Sequence, residues 1–406
     1  MTFDFEDYLK KLYSGSSFEI TVLSGGLVNN TVRASKTSGD AEHESLILKY
    51  APPYVASEGP EMPFSQKRQV IEALMLSLLN DASISVGNLA SRSSATVTVP
   101  KLIHHDPELH ILILEDLGPL ITLWETFLSQ PSPLTVSLNL QPLGRRVGRF
   151  FAHLHRPSLP SSVRSAWGDR AVGLENSFTD DLVFEAAVQP VLERLKQQDI
   201  PNAEQLYERI VEDYRRPKYT YTPRMAMGDF HTGSILTNAL ADPSAADEHL
   251  AAVIDWEFAS INGRGVNGDM AQFLAWVHCF LLSLSPGDER GRLVAEGFVR
   301  GLCAAYAEES GLDLAAAEEE TRQLLRSALI LHGRQMINEA FDWDWKVGGP
   351  KVAEMVRVGA WHVQVAGEGV EDMMGRHEVA EALGMGMDLP RSMVFDLFTG
   401  GAGKKD

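Results

Sequence analysis

The chain has 406 residues, 44% hydrophobic and 22% charged, with a formal net charge of −19. That composition is ordinary for a globular protein and excludes collagen-like, coiled-coil and disordered classes, while the length predicts two domains or two large lobes. The acidic balance repels nucleic-acid backbones and anionic lipid, so neither is an expected partner, yet a local Lys and a metal can reverse the sign at a nucleotide site.

Residues 1–12 lack the basic and long apolar regions of a signal peptide. Short apolar or β-branched runs at 18–23, 31–34 and 46–50 predict three strands. A helix is predicted over 65–80, where Val70, Ile71, Leu74, Met75, Leu78 and Leu79 repeat at helical spacing. The Ser-, Ala- and Asn-rich stretch 81–96 reads as a loop, followed by strands at 97–103 and 111–114. These make a small five-stranded sheet with one helix.

Past Gly118 and Pro119 the pattern turns helical, at 143–155, 182–197, 203–214, 269–284, 293–309 and 315–336. The expected division is a lobe at 1–118, a larger lobe at 119–399 and a flexible tail at 400–406. Only 224–227 and 250–254 look like strands in the second lobe, each running into an acidic residue, with a loop at 239–249 between them. Cys279 and Cys303 lie in helical, apolar segments and read as buried free thiols. The most apolar stretch, 270–284, contains His278 and is shorter than the roughly twenty residues a membrane helix needs. The expected location is therefore the cytoplasm.

Phosphoryl transfer needs a cover for the phosphates, a Lys for them, a carboxylate to fix that Lys, metal-binding carboxylates, and a base for the acceptor hydroxyl. Ser24-Gly25-Gly26-Leu27-Val28-Asn29 lies between the first two strands, where small residues admit a phosphate close to backbone N–H groups. Two-glycine hairpin turns are common, so this segment points nowhere by itself. Lys49 stands in an otherwise apolar strand, where a buried ammonium requires an anionic partner. Glu72 falls on the apolar side of the following helix and is the expected partner. Met227-Gly228-Asp229-Phe230-His231-Thr232-Gly233-Ser234 and Ile254-Asp255-Trp256-Glu257 each put acids directly after a short apolar strand. Asp229 suits the base, and Asp255 with Glu257 suits a shared hard cation such as Mg2+. No second His or Cys at ligand spacing accompanies His231, which reads as a loop residue.

Taken together, these segments resemble the aminoglycoside phosphotransferase and choline kinase-like group, most nearly the methylthioribose kinases. The resemblance rests on residues 228–235, 254–259, Leu48-Lys49-Tyr50-Ala51-Pro52-Pro53-Tyr54-Val55 and Leu114-Glu115-Asp116-Leu117, in that family's order along nearly the whole chain. It implies an α+β, bilobal, protein-kinase-like fold and a kinase using ATP and Mg2+ to phosphorylate a small-molecule hydroxyl. By position, it implies nucleotide contacts from Gly25, Gly26, Asn29, Lys49, Glu72 and the hinge Glu115, Asp116 and Leu117. Asp229 becomes the base, Asp255, Glu257 and Ser234 the metal set, Asp269 a brace for the catalytic loop, and Arg357 a contact to the acceptor.

The chain departs from the family in having Met227 where a His is usual, Ser234 for the common Asn, Trp256 for Pro, and a single Arg357 for an adjacent Arg pair. The expected acceptor is methylthioribose or a related sugar. An amino alcohol or aminoglycoside is the alternative, to which Trp343 and Trp345 point by cation–π recognition. From another class stands a nucleotide-binding pseudokinase or scaffold, and a homodimer stays open.

Overall fold

Period-two alternation in Ile111-Leu112-Ile113-Leu114 sends neighbours to opposite faces of a strand, and both faces are covered. The computed structural model describes residues 3–23, 26–86, 96–129, 138–215, 222–240, 248–314, 318–368 and 392–398. A first helix, α1 (Phe5–Leu12), is followed by strands β1 (Ser17–Val22), β2 (Asn30–Ser38) and β3 (Ser45–Tyr50), helix α2 (Lys67–Leu79), and strands β4 (Leu102–Asp106) and β5 (Ile111–Glu115). The strands form one antiparallel sheet in the order β1-β2-β3-β5-β4. On one face Tyr8 and Leu9 of α1 pack with Val32, Leu46, Leu48, Ile111 and Ile113. On the other, Ile71, Leu76 and Leu79 of α2 join Leu112 and Leu114 in the main core. Because Leu46 and Leu48 face α1, alternation turns Lys49 toward α2.

Two expectations for this region need correction. One helix was predicted beside the sheet, and α1 is a second; its capping signature was the available signal, with Asp4 accepting from the Asp7 N–H at 2.9 Å and Lys10 and Lys11 in the last turn. The strand predicted at 97–103 lies at Leu102–Asp106 instead. Val97 and Val99 are buried, but Thr98 pairs with the second lobe: its N–H donates to Ala251 O at 2.7 Å and its carbonyl accepts from Val253 N at 2.9 Å. The apolar signal was real and its partner was elsewhere.

The remainder runs β6 (Ile121–Thr122), α3 (Leu123–Leu128), α4 (Gln141–Leu154), α5 (Leu159–Trp167), α6 (Asp180–Val183), α7 (Val191–Gln197), α8 (Ala203–Arg215), β7 (Arg224–Ala226), β8 (Ile235–Thr237), β9 (Ala251–Val253), β10 (Ser260–Gly263), α9 (Ala271–Ser283), α10 (Glu289–Ser310), α11 (Glu319–Asp342), α12 (Gly349–Val365) and α13 (Met393–Asp396). The helix expected over 182–197 is broken by a π turn at Phe184–Val188 and restarts as α7 after Pro190, which has no N–H to continue the ladder. Besides the two expected strands, β10 pairs with β7, β8 pairs with β9 and β6 pairs with β8, each two to four residues long and too short for periodicity to register. The tail at 400–406 lies outside the described residues. No helix among those described is long and apolar enough to cross a membrane. Cys279 and Cys303 are free and buried.

The helical lobe rests on a close crossing of α4 with α10. A Cβ on Gly148 would stand 2.2 Å from Leu302 O, and one on Gly301 2.1 Å from Gln141 O, so the two backbones touch. Gly148→Val therefore forces the helices apart, and the expected cost is about 1–3 kcal/mol, the range for overpacked interiors. Urea unfolding checks this: the midpoint falls in the variant, and an unchanged midpoint contradicts the crossing.

Candidate active site

The Lys49 ammonium is buried and donates at 2.8 Å to both Glu72 carboxylate oxygens and at 2.8 Å to Asp255 Oδ1. A residue of β3, one of α2 and one following β9 thus meet across more than two hundred positions of chain. Burial alone disfavours the charged ammonium, but Asp255, Glu72 and Glu257 outweigh it and raise the Lys49 pKa. Asp255 is held below its ordinary range: burial pushes it up, and Lys49 more than offsets that. Its φ of 66° is left-handed backbone, a conformation Asp tolerates better than most side chains.

Glu257 is buried beside this cluster and accepts from Asn29 Nδ2. Burial, with Glu72 and Asp255 adding to it, pushes its pKa up to about 7 against the pull of Lys49. Arg68, missed in the sequence, is fully buried one helical turn before Glu72; its Nε donates to Asn29 Oδ1 at 3.0 Å and its Nη groups to Pro52 O at 2.8 Å and Ser65 O at 2.9 Å. An Arg four residues before a buried Glu on an apolar helix was the available signal. It fixes Asn29, directly ahead of β2. Gly26 is described, whereas Gly25 lies outside the described residues.

Asp229 sits in the loop after β7. Gly228 has φ +89°, and a Cβ there would fall 2.2 Å from Phe258 O, so only glycine fits. Asp269, 1% exposed, accepts from the N–H groups of Met227 at 2.7 Å and Gly228 at 2.8 Å. His155 Nε2 lies 3.1 Å from the same carboxylate, with His155 Nδ1 3.0 Å from the Tyr306 hydroxyl. A buried imidazole thus reaches the back of this loop from α4, while Met227 fills core space. Gln272 Nε2 donates to Asp229 Oδ1 at 2.5 Å and fixes the carboxylate's direction. The two acidic loops are joined, with Ile254 N–H donating to Ser234 O at 3.0 Å. The Ser234 hydroxyl donates to His231 O at 2.7 Å and accepts from His231 N–H, an engagement that supports the loop.

At the hinge, the Asp116 carboxylate accepts from Arg33 Nε at 2.8 Å, Ser45 Oγ at 2.5 Å and Gly118 N at 2.9 Å. Burial raises its pKa, but these donors together outweigh that and hold it low. Its side chain is committed to the protein. Glu115 N–H pairs with Lys101 O at 2.9 Å, and Leu117 is buried.

Beyond Asp229 lies an aromatic cluster. Trp276, one turn after Gln272 on α9, stacks on His231 with ring centres 5.6 Å apart. It meets Trp343 at 5.0 Å and Trp345 at 5.8 Å, while Trp124 of α3 lies 5.6 Å from Trp343 and 5.7 Å from Trp345. The buried Glu339 lies just before this pair on α11, and its backbone carbonyl accepts from Trp345 Nε1 at 2.7 Å. Burial pushes the Glu339 carboxyl up to about 8, with the charges of Asp342 and Asp229 adding to the shift against a hydrogen bond from Gln335. Trp124, Trp276 and Glu339 were not singled out in the sequence; the spacing from Gln272 to Trp276 was the available signal. Arg357 stands exposed on α12, with no hydrogen bond or ion pair among the described residues.

A small sheet with its buried Lys–Glu pair, joined to a mainly helical lobe that carries two acidic loops, defines a kinase-like phosphotransferase of the small-molecule class. Its motifs resemble those of the aminoglycoside phosphotransferase and choline kinase-like group, and its curated relatives are named kinases. It is 26% identical over 274 residues to a 4-hydroxytryptamine kinase of Psilocybe cyanescens, covering 64% of this chain and 67% of the relative. It is 28% identical over 272 residues to a methylthioribose kinase of Bacillus mycoides (strain KBAB4), covering 62% of this chain and 59% of that one. The tryptamine relatives are an addition to what the motifs indicated. No protein-family model matches the chain. Among solved structures, a choline kinase from Cryptosporidium parvum Iowa II aligns over 92% of each chain at 12% identity with a TM-score of 0.40.

Proposed function

We propose that the chain transfers the γ-phosphoryl group of ATP, with Mg2+, to a hydroxyl of a small molecule. The observation that carries this is the convergence of Lys49, Glu72 and Asp255 at 2.8 Å. The donor set fits a hard cation: Asp255 and Glu257 offer carboxylate oxygens two residues apart. These two residues would hold Mg2+, which when bound neutralises charge on the phosphates. Lys49, positioned by Glu72, supplies a fixed positive charge for phosphate oxygens. Asn29, held by Arg68, orders the turn that covers them, and the backbone at Glu115 to Leu117 offers the adenine edge. Asp229, oriented by Gln272, takes the proton of the acceptor hydroxyl. Asp269 and His155 hold the loop that presents it.

For the acceptor, the motif resemblance and the relatives named methylthioribose kinases support a sugar, but Arg357 has no contact tying it to the Asp229 loop. The aromatic cluster one turn from Gln272, with Glu339 beneath it, favours an acceptor carrying an amine, and relatives named 4-hydroxytryptamine kinases support the same reading. Indole faces attract a cation and a carboxylate pairs with it. Since Glu339 is neutral below its pKa of about 8 and the pairing needs its ionised form, the KM for an amine acceptor falls as pH rises from 6 toward 8. Glu339→Gln abolishes that dependence and raises this KM roughly ten- to a hundredfold, the equivalent of one charge-assisted contact, while the KM for ATP stays. Initial rates with tryptamine-type and sugar acceptors decide. A silent Glu339→Gln alongside a sugar substrate returns the acceptor to the pentose reading.

A further inference from the structure

Three histidines with no part in the proposed transfer meet inside the helical lobe: His278 on α9, His332 on α11 and His362 on α12, each 1% exposed or less. One ring nitrogen from each lies within 4.8 Å of the other two. The approach is built into the helix crossing. A Cβ on Gly333 would stand 2.3 Å from Gly359 O, and the adjacent His332 and His362 rings have centres 4.5 Å apart.

The hydrogen bonds fix which nitrogens carry lone pairs. His332 Nδ1 lies 3.2 Å from Ala271 O and His362 Nδ1 2.8 Å from Val358 O. A carbonyl only accepts, so each Nδ1 holds the hydrogen and each Nε2 presents a lone pair. Backbone carbonyls that tie down the outer nitrogen are the usual second shell of a metal-ligating imidazole. His332 Nε2 is 3.1 Å from His278 Nδ1, near the edge of about 3.3 Å between two ligands of a tetrahedral ion with bonds of roughly 2.0–2.1 Å. Without an ion, the same proximity is a hydrogen bond from His278 to His332. His278 Nε2 is buried with no partner among the described residues in either arrangement. Burial pushes the His278 pKa down to about 3 and His332 well below its ordinary value, so both rings stay neutral, the form that binds metal. The Ser392 hydroxyl, 3.0 Å from His362 Nε2, adds an oxygen beside the cluster.

We propose that His278, His332 and His362 form a structural site for a divalent transition metal of the zinc class, clamping α9, α11 and α12. Ala271, whose carbonyl holds His332, adjoins Gln272, so the clamp braces the end of α9 that orients Asp229. The three residues act by positioning and touch no reacting atom.

The test uses the untagged full chain, stripped with a chelator and titrated with Co2+. The expected result is saturation near one equivalent at this site, the strong visible absorption of four-coordinate cobalt, and a melting temperature raised by several degrees with Zn2+. His362→Gln and His278→Gln lose the strong absorption, whereas Asp255→Asn keeps it, which separates the cluster from the carboxylates. Should a His variant fail to fold, the spectrum of the unsubstituted chain still decides. Only the weak absorption of six-coordinate cobalt, no saturable binding, or strong absorption that survives both His substitutions overturns the proposal.

Discussion

Asp229→Asn is expected to bind ATP nearly as the parent does and to lose turnover on the order of 10²-fold or more. The amide is the same size and still meets Gln272, so the loop held by Asp269 stays in place. It cannot take the acceptor's proton. Nucleotide titration and single-turnover rates separate the two effects, and near-normal kcat in the variant contradicts Asp229 as the base.

The second large effect is at the proposed metal carboxylates. Alanine is a poor probe at Asp255, where φ is 66°, because it adds backbone strain to the loss of charge; asparagine accepts that conformation. Asp255→Asn removes both a metal oxygen charge and one of the two anions that hold Lys49, so the rate at ordinary magnesium falls by roughly 10²-fold. Glu257→Gln keeps a side chain for Asn29 and loses only the charge. Its magnesium half-saturation rises about tenfold, the lower end for a charge-assisted contact. Activity against magnesium concentration checks both. Two unchanged curves place the metal elsewhere.

Much of the site was legible because it violates the hydrophobic pattern. Lys49 in a strand of Leu and Ile, and Glu72 on the apolar face of α2, are polar groups where burial demands a partner. Asp229 and Asp255 stand three and two residues after β7 and β9, where short apolar runs end. What was not legible depends on distant chain. Nothing local says that Thr98 pairs with β9, or that Arg68 spends its donors on the carbonyls of Pro52 and Ser65. His155 looked like the end of a helix, and its role follows only from where Asp269 lies. Strands of two to four residues, such as β6 and β8, carry too few positions for alternation to show. Arg357 was assigned through the family pattern, and the exposed face of α12 on which it stands offers no local reason for that role.

The most direct measurement incubates the purified chain with Mg2+ and ATP against sugars, amino alcohols and hydroxylated aromatic amines, with Asp229→Asn in parallel, and follows ADP and the acceptor's mass. The expected result is that one acceptor class gains a single phosphoryl group, matched by ADP and abolished by Asp229→Asn. Nucleotide binding with no phosphorylated product from any class, or product formed equally by the Asn variant, contradicts it.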